Sequence, residues 1–248
     1  MKRVVEICCG GLEDAIIAEK AGADQIELNN ATYLDGLTPS LGTIKMVLEH
    51  CSIPVIAMVR PRPGGFHYNE YEFKTMLADV ESMVDYDLDG IVFGCLDENG
   101  DIDRDKNKRL IDIIHANGKD AVFHKAFDCV RDPYKSIEML IDLGVKRILT
   151  CGLKPTAIEG IDLLAELQDK YGKEIEILIG DGVMSTEDVK VVIEKTGVRQ
   201  YHDICTTWRR DPTTIGNVSF SYAQPPNEER YNIVDYDKIV EFVKAVKG

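Results

Sequence analysis

The sequence predicts an α/β fold, a single-domain TIM (β/α)8 barrel with a long irregular loop after strand 8. Three observations lead there. Eight short apolar runs recur along 248 residues, each ends in a polar or sulfur residue, and each of the first seven precedes a stretch with apolar residues at helical spacing. Strands alternating with helices imply a parallel sheet, and eight units close a barrel. The length is typical of one such barrel, so residues 1–248 are read as a single domain.

Strand 1 is read at Val4–Cys9, and its helix carries Leu12, Ala15, Ile16, Ala18 and Ala21 before Gly22 stops it. Strand 2 is Gln25–Asn29, with Ile44, Val47 and Leu48 in the helix behind it. Strand 3 is Val55–Arg60, followed by Phe73, Met76, Leu77, Val80 and Val84. Ile91–Cys95 is strand 4, with Leu110, Ile111, Ile113 and Ile114 in its helix and Gly118 beyond it. Strand 5, Ala121–His124, leads to Ile137, Leu140 and Ile141 and a stop at Gly144. Strand 6, Arg147–Cys151, leads to Ile158, Ile161, Leu164 and Leu167, and strand 7, Ile175–Gly180, to Val189, Val192 and Ile193 before Gly197.

Strand 8 is Gln200–Cys205, and beyond it the regularity fails. Residues 206–234 are polar, carry Pro212, Pro225 and Pro226, and hold one candidate short strand, Val218–Tyr222. Asp235 then caps a last helix bearing Ile239, Val240, Phe242, Val243 and Val246. A loop of that length on the functional face of a barrel reads as a lid or an interface segment.

The formal charge of −14 excludes a nucleic-acid or anionic-membrane surface as the expected partner, because both require clustered Lys and Arg. No run approaches the roughly 18 apolar residues of a membrane span. Seven cysteines without C-x-x-C pairs suit reduced thiols in the cytoplasm better than a disulfide framework.

Alternation along each strand selects the inward-facing residues. Glu6 and Cys8 on strand 1, and Glu27 and Asn29 on strand 2, should face the barrel interior. Two neighbouring carboxylates in low dielectric need a cation, a proton or arginine partners. Arg60 and Arg62 after strand 3 are the candidates, and a salt-bridge network that only shapes the barrel is the alternative role. His124 and His202 should face inward at the tops of strands 5 and 8, with Asp128 just beyond the first and Lys125 turned away. Glu6, Glu27, His124, Asp128 and His202 are therefore the candidate catalytic groups. Arg60, Arg62, Lys125, Thr150, Gly180 and Gly182 are the candidate anion-binding set. The last two belong to Gly180-Asp181-Gly182-Val183 after strand 7, where many barrels hold phosphate on backbone N–H groups.

Six of the seven thiols fall at or just after strand ends, and soft sulfur suits Cu(I). Cys8, Cys9 and Cys151 are the candidate metal ligands, although adjacent Cys8 and Cys9 should point to opposite faces of a regular strand.

Taken together, Glu6-Ile7-Cys8-Cys9, Gly22-Ala23-Asp24 with Ile26-Glu27-Leu28, Gly36-Leu37-Thr38-Pro39-Ser40, Arg60-Pro61-Arg62, Phe123 to Asp128 and Leu149-Thr150-Cys151-Gly152 resemble the CutC family. The resemblance implies a TIM barrel, a cytoplasmic protein linked to copper handling, and a homodimer or higher homo-oligomer. Relatives often carry a cysteine where this chain has Asn29, arginine at the position of Lys125 and serine at that of Cys151. Cys151 then adds a thiol expected near Cys8. Two functions compete. One is copper binding at the C-terminal face of the barrel. The other is a reaction on a small anionic or phosphorylated metabolite, with Glu27 or His124 as base and arginines as the anion clamp.

Overall fold

The structure, a computed structural model, describes residues 2–180 and 185–248. Strands β1 (Val4–Cys9), β2 (Gln25–Leu28), β3 (Val55–Met58), β4 (Gly90–Phe93), β5 (Asp120–Phe123), β6 (Arg147–Thr150), β7 (Glu176–Gly180) and β8 (Gln200–Asp203) form a closed parallel barrel in sequence order. β1 closes it, pairing with β2 through Glu6 and Gln25 and with β8 through Glu6 and His202. Around it lie α1 (Leu12–Lys20), α2 (Leu41–His50), α3 (Glu70–Met83), α4 (Arg104–Ala116), α5 (Pro133–Asp142), α6 (Ile161–Tyr171), α7 (Thr186–Thr196) and α8 (Tyr236–Lys247).

Local chemistry starts most of these helices where they start. Ser40, Asp103, Asp132 and Asp235 each accept a first-turn N–H, and Asn69 with Glu72 and Ser185 with Asp188 form capping boxes. Gly197 ends α7 at φ 66°, a left-handed conformation that a Cβ disfavours.

Every strand divides its side chains between two environments. Val5, Ile7 and Cys9 of β1, Ile26 and Leu28 of β2, and Ile91 and Phe93 of β4 join the helix faces in one continuous core. Inside the barrel, Ile56, Met58, Val92 and Val122 make a separate small apolar cluster on the β3–β5 side. The inward positions of β8, β1, β2 and β6 are instead polar: His202, Glu6, Gln25, Glu27 and Arg147 are all buried. Burying so many charged groups is costly unless each is partnered, so the β8–β1–β2 side is specified by electrostatics rather than by packing.

Several strands end a residue or two before the sequence pattern suggests. The segment after strand 8 differs more. Thr206–Arg210 (β9) and Arg230–Val234 (β10) pair as an antiparallel ribbon, so the excursion is not irregular throughout. Arg209 ties β9 to Glu13 of α1, and Val234 N–H donates to Asp14. Val218–Tyr222, the expected strand, is not one. Val218 and Phe220 are largely exposed there, and only a single bridge from Ile215 to Ser219 forms. A strand needs a neighbour for its backbone groups, and the ribbon finds one across the loop.

Candidate functional site

The site begins with Glu6, whose carboxylate has three buried partners. Its Oε1 is 2.7 Å from His202 Nδ1, while its Oε2 accepts from Gln25 Nε2 at 2.7 Å and from Arg147 Nη1 at 3.4 Å. The cations facing Glu6 are thus His202 and Arg147, not Arg60 or Arg62 as expected. Arg147 was legible only as a charged residue at an inward position of strand 6. Burial works against ionising Glu6, but His202 and Arg147 outweigh it and hold its pKa below the usual carboxylate range.

Glu27 lies beside this group. His202 Nε2 is 4.0 Å from its Oε2, and Asn29 Nδ2 donates to the same oxygen at 2.8 Å and to Cys8 Sγ at 3.3 Å. Burial, with the charge of Glu6, lifts the Glu27 pKa despite the opposing charge of His202. Burial also disfavours the imidazolium of His202, but Glu27 and Glu6 flank it and hold its pKa well above the ordinary histidine value. The Cys8 thiol is pushed up to about 11, chiefly by burial. Near neutral pH the cluster is therefore an ionised Glu6, a charged His202 and a protonated Cys8 beside a Glu27 that takes a proton readily.

These shifts set the pH dependence of folding. His202 has a folded pKa above its unfolded value, so its contribution is complete below about pH 6.5 and disappears as pH rises through the folded pKa. Glu6 acts in the opposite sense, losing its contribution as pH falls below about 4.3 and through its lowered folded pKa. Urea unfolding should show wild-type stability declining as pH rises above about 6.5, and His202→Asn flattening that decline. An equal slope in both proteins would remove His202 as its cause.

Above the cluster is a cavity of about 660 Å³, to which Cys8, Glu27 and His202 contribute from one side and Arg60, Phe66 and His124 from the other. Arg60 is 3% exposed and is held by backbone carbonyls: Nη1 donates to Leu34, Asp35 and Gly36, and Nη2 to Gly64. It makes no ion pair among the described residues. Arg62 departs from expectation. It turns away to Glu72 at the start of α3, with Nε to Oε1 2.5 Å, and does not line the cavity.

His124 is buried against Phe66, with ring centroids 4.8 Å apart. Its Nδ1 accepts the Ala126 N–H at 3.1 Å, which places the ring proton of the neutral imidazole on Nε2. Burial and then the Arg60 charge press its pKa to about 3. His124 is thus a neutral imidazole, and the chain turns at once after it into the short 3-10 helix Lys125–Cys129. That turn also reverses Lys125, which lines the cavity instead of pointing away and reaches Cys151 Sγ at 3.1 Å and the Gly180 carbonyl at 3.3 Å.

Asp128 also borders the cavity, yet its oxygens are occupied. They accept from the Thr150 hydroxyl and from the backbone N–H groups of Cys151 and Leu153, latching the loop after β6. Thr150 bonds Asp128 and does not line the cavity, while Asp128 borders it with its oxygens engaged by the loop. Cys9 points outward into the helix-packed core, as strand alternation requires. Cys151 donates to the Gly180 carbonyl next to β7 and is outside the Cys8 group, so the second thiol expected beside Cys8 is not there. Gly180 lines the cavity, whereas Gly182 lies outside the described residues.

Among the described residues, the groups that could hold a metal are Cys8, Glu27 and His202, each offering a ligand atom within 4.8 Å of the others. The chain is a TIM-barrel protein whose buried polar site opens at the C-terminal strand ends, the face on which such barrels carry their function. The CutC family model matches residues 3–207. A CutC family protein of Treponema denticola is 44% identical, covering 99% of this chain and all of the relative, and one from Mesorhizobium japonicum is 37% identical over 99% and 95%. A solved CutC structure from Streptococcus agalactiae, described as a copper homeostasis protein, superposes with a TM-score of 0.75 at 35% identity, covering 81% of this chain and 98% of that one. The chain belongs to the CutC family.

Proposed function

We propose that the chain serves copper homeostasis by binding copper at the C-terminal face of the barrel through Cys8, His202 and Glu27. The observation that carries this is the convergence of their three ligand atoms within 4.8 Å. Thiolate and imidazole suit copper, and the carboxylate adds charge neutralisation. Glu6 on Nδ1 of His202 is the outer carboxylate that typically fixes a ligating imidazole, leaving Nε2 for the ion. Asn29 hydrogen-bonds Cys8 and Glu27 where relatives often have a further cysteine, so Cys8 supplies the sulfur alone.

Competition with a chromophoric Cu(I) chelator should give one ion per chain, and Cys8→Ser should weaken binding by at least about tenfold. Unchanged affinity would overturn the assignment. Because the thiol holds its proton to about 11, apparent affinity should also rise with pH. The reading assigns the protein to the cytoplasm, where unpaired thiols persist, and to a homodimer or larger assembly that light scattering would detect.

A second reading is favoured by the cavity of about 660 Å³, a volume suited to a small metabolite. In it the protein is an enzyme on a small anionic or phosphorylated metabolite, with Glu27 and His202 moving protons and Arg60 attracting the anion. A thermal-shift screen of sugar phosphates and small carboxylates tests it, and no stabilisation by any of them would overturn it.

A further inference from the structure

We infer that two copies of this chain pair through Val218–Tyr222, the stretch at the tip of the excursion between β9 and β10. This rests on the homodimer assignment above and names its contact surface.

The stretch presents apolar side chains to water. Phe220 is 79% exposed and Val218 63%, and with the exposed Tyr222 they alternate with Ser219 and Ser221. That spacing puts three apolar side chains on one face of an extended chain. A contiguous apolar patch, unlike a single exposed side chain, marks an interaction site.

The support beneath it is ordered. Phe220 N–H donates to the Thr214 carbonyl at 2.9 Å and Gly216 N–H to the Val218 carbonyl at 3.1 Å, closing the bridge between Ile215 and Ser219. These bonds occupy the inner edge of the stretch. The peptide groups of Ser219 face the outer edge, because successive residues of an antiparallel pair point to opposite edges. The Tyr222 ring stacks on Tyr33 with centroids 4.1 Å apart, and its hydroxyl accepts the Asn232 N–H at 2.9 Å. The tip is thereby fixed to β10 and to the loop after β2. An open apolar edge of this kind is a template for another strand.

Charge selects the partner. Residues 212–227 contain no Asp, Glu, Lys or Arg, in a chain that is 29% charged with a net charge of −14. Two copies repel wherever their charged faces meet, so an uncharged face is where they can touch without opposing like charges. A basic partner would be drawn to the acidic remainder of the chain rather than to this segment. Anionic lipid headgroups find no Lys or Arg in it. An identical stretch matches it in apolar pattern and in lack of charge, and antiparallel pairing about a two-fold axis closes the contact at two copies.

The test is sedimentation equilibrium of the full chain over a range of protein and salt concentrations. The wild type should dimerise, and more tightly as salt rises, since screening removes the repulsion that the apolar contact must overcome. Val218→Glu combined with Phe220→Glu should weaken the dimer by at least about a hundredfold. Both positions are exposed, so circular dichroism should show an unchanged fold. Met46→Glu combined with Tyr71→Glu adds the same charge at exposed positions on α2 and α3 and should leave the dimer intact. A wild type that stays monomeric overturns this surface and the homodimer reading together. A dimer that survives the tip substitutions, or is lost equally in the control, overturns the surface and leaves the homodimer reading standing. A dimer that loosens with salt, or an odd-numbered assembly, also overturns the two-fold apolar contact.

Discussion

Glu6→Ala is expected to destabilise the protein by about 3–5 kcal/mol, the usual cost of removing one partner from a buried ion pair. The carboxylate neutralises two buried cations, His202 and Arg147, and also accepts from Gln25. Its loss leaves His202 facing Glu27 alone and Arg147 with only Glu176, which is partly exposed. Urea unfolding at neutral pH should show the loss. For a chain of this size it corresponds to a Tm lowered by about 6–20 °C. Glu6→Gln retains acceptor and donor capacity without the charge and should fall between the two. A Glu6→Ala protein as stable as wild type would show that the network is solvated in solution and does not specify the barrel. Where Glu6→Ala folds, it should also weaken copper by about tenfold or more, because His202 loses the group that orients it.

Arg60→Ala has the second large effect, about 3 kcal/mol, for a different reason. One guanidinium serves the carbonyls of Leu34, Asp35, Gly36 and Gly64, joining the loop after β2 to the loop after β3. Truncation leaves the buried Gly36 carbonyl and the three part-buried ones without this donor. Hydrogen exchange should accelerate in residues 34–38 and 64–66 while the barrel strands keep their protection. Arg60→Lys should recover little, since an ammonium cannot reproduce a planar fork with donors on several sides. If exchange is unchanged in both loops, the carbonyl cage is not what holds them.

The barrel itself was legible because its signals are local. A strand such as Val4–Cys9 shows its alternation within six residues, and caps such as Asn69 and Asp235 sit beside the turns they start. The inward direction of Glu6, Glu27, Cys8 and His202 follows from the same alternation. The ribbon of β9 and β10 was not legible. Its strands are polar and lie about twenty residues apart, and the more apolar Val218–Tyr222 between them has no neighbour to pair with. Arg62 and Lys125 were misplaced because their directions depend on single turns: a fork onto Glu72 in one case, and a 3-10 helix opened by His124 in the other.

By itself the sequence determined the fold class, the order of its elements and the end of the barrel where the polar side chains collect, since these depend on periodicity and short-range turn chemistry. Only the tertiary structure decided which charges meet. It paired Glu6 with His202 and Arg147, gathered Cys8, Glu27 and His202, and separated Cys9 and Cys151 from them. Partners in a closed barrel come from strands as far apart as residues 6 and 202. Their protonation depends on burial and on one another's charge, and neither quantity exists until the barrel closes.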